Sequence, residues 1–171
     1  MIPIYQIHPM IVHFPIAILI VTFVCDGISI VFKKTALEPI SKWGLWIGVP
    51  SMGLAALSGW ISHRTVPHGP EVYGLIDRHE QLGFWATGIF CLILLARFLW
   101  KGKLPPNKLL QGIYLGVFLA GVLTMSLGAH LGGRLVYEHG VGIEKPDSMS
   151  PLLKELDQKD TPSEMKDIFG K

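Results

Sequence analysis

From the N-terminus the chain enters a mostly apolar run over residues 10–32, and the pattern returns over 43–61, 82–100 and 109–136. The hydrocarbon core of a bilayer is about 30 Å thick and takes about 20 helical residues at a rise of about 1.5 Å each. Each run is long enough to cross. Between them lie polar and turn-forming residues: Lys33, Lys34, Glu38 and Lys42 in the first connection, Pro67, Gly69, Pro70 and Gly74 in the second, and Pro105 and Pro106 in the third. The pattern predicts an all-α integral membrane protein, an up-and-down four-helix bundle formed by residues 1–142. Residues 143–171 turn charged and polar, with Pro146, Pro151 and Pro162 and a weakly amphipathic piece at 152–156, and are expected to form an extramembranous tail.

Up-and-down connectivity places the N-terminus, the second loop and the tail on one side, A, and the first and third loops on the other, B. Side B carries Lys33, Lys34, Lys42, Arg97, Lys101, Lys103 and Lys108, against Arg64, Arg78, Arg134 and Lys145 near the spans on side A. The positive-inside rule then makes B cytoplasmic, with both termini periplasmic in a bacterial inner membrane.

Composition strengthens the membrane assignment. Of 171 residues, 50% are hydrophobic and 16% charged, which is too apolar for a soluble domain of this size. The net charge of +2 comes from basic residues scattered through loops and tail, not from a stripe interleaved with aromatics, so no nucleic-acid partner is expected. The opening residues carry no Lys or Arg, and the run that follows is longer than a secretory signal, so the first helix is expected to stay in the mature protein. Cys25 and Cys91 lie in apolar runs without Cys-x-x-Cys spacing, which argues for packing rather than a disulfide, a thiolate metal site or covalent haem attachment.

The chemistry is in the histidines. His8 precedes the first span, His13 lies about one turn inside it, His63 ends the second, His79 opens the third and His130 lies in the last turns of the fourth; His68 and His139 sit in side-A loops. All seven map to side A. Polar groups at membrane depth tend to face a bundle interior and mark function, and a neutral imidazole there needs a hydrogen-bond partner or a metal. His13 and His130 each lie about 7–10 Å below their helix ends and could share one level. Imidazoles projecting from separate helices are what a b-type haem needs for its two axial positions, and Gly128, Gly132 and Gly133 around His130 would leave a slot for the macrocycle. Zinc or copper is the rival ligand, although structural zinc usually adds thiolates or carboxylates. Structural histidines bonded to carbonyls or headgroups are the metal-free reading.

Other polar residues are open to two readings each. Asp26 in the first span and Arg97 in the third, both towards side B, either pair or snorkel separately. Arg78 and Arg134 could hold haem propionates or simply anchor at the interface. Small residues recur four apart at Gly44 and Gly48, Ala55 and Gly59, Gly112 and Gly116, and Gly128 and Gly132, for close helix packing or a flat group. Most tryptophans lie at span ends, as an aromatic belt does. No Gly-x-Ser-x-Gly, Walker A loop or His-Glu-x-x-His occurs, so catalysis would have to come from a bound cofactor.

The opening Ile-His-Pro-Met-Ile-Val-His-Phe-Pro-Ile-Ala, from Ile7 to Ala17, and the closing Gly-Ala-His-Leu-Gly-Gly-Arg-Leu-Val-Tyr-Glu-His-Gly-Val-Gly, from Gly128 to Gly142, resemble the two signatures of a prokaryotic membrane family catalogued as domain of unknown function 2231. The likeness covers nearly the whole chain up to Gly142 and leaves the tail outside. It implies a four-helix membrane domain, sometimes fused or genetically linked to redox modules, with no settled activity. It also implies that His8, His13, His79 and His130 are family positions, with His139 in the closing motif, and ranks His63 and His68 below them.

The expected function is a b-type haem-binding subunit of a membrane electron-transfer complex, an electron-transfer component of an oxidoreductase, with one or two haems near the periplasmic face. His13, His79 and His130 are the first candidates for the haem iron, then His8, with His63 further out; Arg78 and Arg134 would meet propionates. Diagonal helices favour pairing His13 with His79, and matched depth favours His13 with His130. Expected partners are the lipid bilayer and redox subunits such as a periplasmic cytochrome, with a quinone as a further candidate. The alternative is a non-catalytic scaffold or accessory subunit whose structural histidines and tail dock a periplasmic partner; metal handling on side A is a third reading.

Overall fold

The helices run further than the apolar runs that announce them. In a computed structural model describing residues 4–66 and 69–143, with side chains from residue 7, the described residues form α1 (Ile4–Phe32), α2 (Glu38–Thr65), α3 (Tyr73–Leu99) and α4 (Lys108–Tyr137). Short 3-10 turns at Thr35–Leu37 and Pro70–Val72 lead into α2 and α3. His68 and the polar tail from residue 144 onward lie outside the described residues.

Local chemistry sets the ends. Pro39 starts α2, where a missing N–H costs nothing. Asn107 caps α4, its side-chain oxygen accepting from the Leu110 amide at 2.8 Å. The end of α3 closes with Lys101 N donating to the Phe98 carbonyl and Gly102 N to the Arg97 carbonyl, at 2.9 and 2.8 Å. That is the Schellman pattern, with Lys101 at φ 54 in the left-handed position that usually falls to glycine.

α1 packs most extensively on α2, and α3 on α4; α2 on α3 and α4 on α1 complete the ring, leaving α1 and α3 diagonal. The core between them holds Leu19, Leu45, Met52, Phe90, Phe118 and Met125, with Phe118 packed edge-on against Phe90 at 5.8 Å and Tyr114 at 5.9 Å between ring centres. A smaller cluster of Val72, Ile76 and Leu135 closes the A end. Only 22–33% of each helix's most apolar window is buried inside the bundle, so the rest, including Trp43, Trp85 and Leu109, needs an apolar solvent. All four helices are long and apolar enough to cross a membrane.

The two hairpins are versions of one another. Gly48-Val49, Met52, Leu54, Ala56 and Gly59 in α2 recur at the same spacing as Gly121-Val122, Met125, Leu127, Ala129 and Gly132 in α4. In α1 and α3 the equivalent positions are His8 and His79, Leu19 and Phe90, and Asp26 and Arg97, and burial follows the same register. Because both hairpins start on side A, the relation is a two-fold axis along the bundle.

At the B end, Asp26 and Arg97 form the buried pair that the sequence left undecided. Arg97 Nη1 donates to Asp26 Oδ1 at 3.0 Å and Oδ2 at 3.1 Å, and Nη2 donates to Ser41 Oγ at 3.0 Å. Tyr114 donates its hydroxyl proton to Asp26 Oδ2 at 2.6 Å, and Arg97 Nε reaches the Gly102 carbonyl at 3.1 Å. Asp26 and Arg97 are fully buried, so the network replaces the water that neither charge can reach.

Candidate functional site

α1 and α3 begin earlier than the apolar runs imply, and that moves two histidines. His8 lies inside α1 rather than before it, and His79 lies well inside α3 rather than opening it. Both are half-buried, and their ring centres meet 6.0 Å apart with planes at 75°.

Each imidazole is fixed in the same manner by the partner helix of its own hairpin. His8 Nδ1 lies 3.0 Å from the Ala55 carbonyl, and His79 Nδ1 lies 2.8 Å from the Gly128 carbonyl. A carbonyl only accepts, so both Nδ1 atoms carry a proton, which in the neutral ring leaves the lone pair on Nε2. Ser58 Oγ, 3.0 Å from His8 Nδ1, also accepts there while donating to the Ala55 carbonyl at 2.8 Å.

One turn beyond each carbonyl sits a glycine against the ring. A Cβ on Gly59 would stand 2.9 Å from His8 Cε1, and a Cβ on Gly132 would stand 2.9 Å from His79 Cε1. Gly132 therefore makes room for the His79 ring and Gly59 for the His8 ring, while Gly128 and Ala55 supply the carbonyls.

The remaining candidates do not converge on this pair. His13 is exposed on the outer face of α1 and donates from Nδ1 to the Pro9 carbonyl of its own helix at 2.8 Å. Five residues of helix turn it about 140° away from His8. His130 is exposed because it lies midway between Gly128 and Gly132, about 200° from each and so opposite the face they present inward. The structure brings the His8 and His79 rings together, while His13 and His130 stand on outer faces. His63 in the last turn of α2 is held by Glu80 of α3, Nδ1 to Oε2 at 2.6 Å. Arg134 is bound to Glu138 at 2.9 Å, and Arg78 is exposed beside His79 in α3. His139 is exposed after α4.

Ser58, the seating of His8 by the small pair Ala55 and Gly59, and the ranking of His8 above His13 escaped the reading of separate spans. The signal was present as the repeat between α2 and α4, which aligns Gly59 with Gly132 and hence His8 with His79. Among the described residues no group of three or more His, Cys, Asp or Glu side chains could hold a metal ion, so any metal here would rest on two imidazoles plus ligands of its own.

Comparison with known proteins gives one family. The family described as predicted membrane protein (DUF2231) matches residues 5–145. No curated protein and no solved structure matches the chain.

Proposed function

The chain belongs to the DUF2231 family of predicted membrane proteins, and from that premise and its paired imidazoles we propose that it is a b-type haem-binding subunit of a membrane electron-transfer complex. His8 and His79 would hold the haem iron. The observation that carries this reading is the ring separation of 6.0 Å between two Nδ1-protonated histidines on diagonal helices. Two imidazoles bound through nitrogen to one metal, at about 2 Å each, place their ring centres about 6 Å apart. Their Nδ1–H bonds to carbonyls are the supports that orient metal-binding imidazoles and raise their basicity. A bound haem would supply a one-electron carrier, its potential set by these ligands and the surrounding apolar packing.

The same geometry favours a single haem, because His13 and His130 stand on outer faces. Arg134 would serve a propionate by giving up Glu138, and Arg78 from its exposed place beside His79. The lysine bias of side B supports a periplasmic side A, where a haem would lie within reach of a periplasmic cytochrome, and a quinone in the bilayer is the other candidate donor.

The test is an optical spectrum of the purified chain after haem supplementation. A Soret band with a sharp reduced-minus-oxidised α band is expected. His8→Ala and His79→Ala should each abolish it, while His13→Ala and His130→Ala keep it. Absence of any Soret band overturns the proposal and favours the scaffold reading, and stoichiometric zinc or copper without a Soret band favours metal handling.

A further inference from the structure

At the B end, away from the histidines, a groove of about 850 Å³ opens between the end of α1, the α3–α4 loop and the start of α4. Lys33, Lys103 and Lys108 line it, with Glu38 as its one acidic group, and Ile30 and Leu115 form apolar walls that continue onto the lipid-facing bundle. Ser29 also faces it and is only 5% exposed, yet its hydroxyl has no hydrogen-bond partner among the described residues. Elsewhere in these helices Thr22, Ser51, Thr87 and Thr124 bond back to the carbonyl one turn earlier. A buried hydroxyl left unpaired is costly unless a ligand completes it.

Three ammonium groups around a buried donor, at headgroup depth and continuous with hydrocarbon-facing walls, match a phosphodiester carrying acyl chains. We propose that this groove binds an anionic glycerophospholipid, with Lys33, Lys103 and Lys108 around the phosphate, the Ser29 hydroxyl donating to it, and the acyl chains lying along α1 and α4. A zwitterionic lipid offers the same phosphate but adds an ammonium that the three lysines repel.

The probe is detergent-purified full-length chain titrated with phosphatidylglycerol or phosphatidylcholine and read by native mass spectrometry. Preferential retention of phosphatidylglycerol is expected. Lysines near a membrane surface contribute about fivefold each, so the triple change Lys33→Gln, Lys103→Gln and Lys108→Gln should weaken binding by about a hundredfold. A charge-matched triple at Lys34, Lys42 and Lys101, which do not line the groove, should change it by less than about fivefold. Ser29→Ala deletes a hydroxyl that bonds nothing among the described residues, so it should keep or raise the lipid-free melting temperature while lowering phosphatidylglycerol affinity several-fold; it serves if the triple variant does not fold. Equal retention of both lipids, equal effects of the two triples, or full displacement by inorganic phosphate would each overturn the proposal, the last by assigning the groove to a free anion.

Discussion

Arg97 holds in α3 the place that Asp26 holds in α1, and the two meet inside the bundle with Nη1 3.0 Å from Oδ1. A residue can touch its own equivalent only on a symmetry axis, because anywhere else it meets a different position of the other half. His8 and His79 obey the same rule at the A end, 6.0 Å apart. The axis therefore carries a charge pair at one end and an imidazole pair at the other. The halves differ at the B end, where like residues would have put two buried charges of one sign in contact.

The charge pair should behave as a coupled unit. Asp26→Ala leaves a buried guanidinium without its counter-ion, and Arg97→Ala leaves a buried carboxylate. Each is expected to cost about 3–5 kcal/mol of unfolding free energy in detergent. The double change Asp26→Ala with Arg97→Ala removes both charges and should cost well below the sum of the two single changes. Separate snorkelling would instead give small, additive effects, so a double-mutant cycle by denaturant titration decides the matter.

The glycine seats should matter equally in both hairpins. Gly59→Ala and Gly132→Ala each push an imidazole off its carbonyl, since the new Cβ would stand 2.9 Å from Cε1 in both cases. Loss of such an orienting contact typically lowers metal affinity by about 10–100-fold, and haem titration should return a similar loss for the two variants. Gly112→Ala, which faces open space, should leave haem affinity unchanged and raise stability by about 0.5–1 kcal/mol through helix propensity.

The fold was legible because apolar run length is a one-dimensional signal: four runs, short loops and a charged tail specify spans and order without any contact. The helix extensions were less legible, since Tyr73 to Arg78 reads as polar loop although Asp77 and Arg78 simply occupy the exposed face of α3 at its A end. For the site, hydropathy told which end of the bundle holds the histidines but not which face of each helix they occupy. His130 stands between two inward-facing glycines and still points out, because two residues along a helix reverse direction. Asp26 and Arg97 illustrate the same limit: their depth could be read, their shared axis required the repeat.

The His63–Glu80 pair links α2 to α3 at the A end with side chains 26% and 23% exposed. Partly solvated pairs contribute little, so Glu80→Gln is expected to cost at most about 1 kcal/mol in the same denaturant titration. It should leave the haem spectrum intact, since His63 is held away from the His8 and His79 rings. A lost Soret band in this variant would move His63 into the ligand set.

The repeat breaks at one position beside the imidazoles, and that break is testable. His8 Nδ1 has two acceptors, the Ala55 carbonyl and Ser58 Oγ, each at 3.0 Å, whereas the residue aligned with Ser58 in α4 is Leu131 and, among the described residues, His79 Nδ1 has the Gly128 carbonyl alone. Hydrogen bonding at Nδ1 makes an imidazole more basic, and a more basic axial ligand favours the ferric state. Ser58→Ala withdraws one acceptor from His8 and the Ser58 bond to the Ala55 carbonyl with it, while leaving the glycine seat and His79 in place. The midpoint potential of bound haem should therefore rise, with Soret intensity and haem stoichiometry unchanged. Leu131→Ser, which offers His79 the missing second acceptor, should move the potential the opposite way. Spectroelectrochemical titration of the two variants reads both signs; a shift in the same direction for both would show that the hydroxyl acts through local polarity and not through the Nδ1 bond.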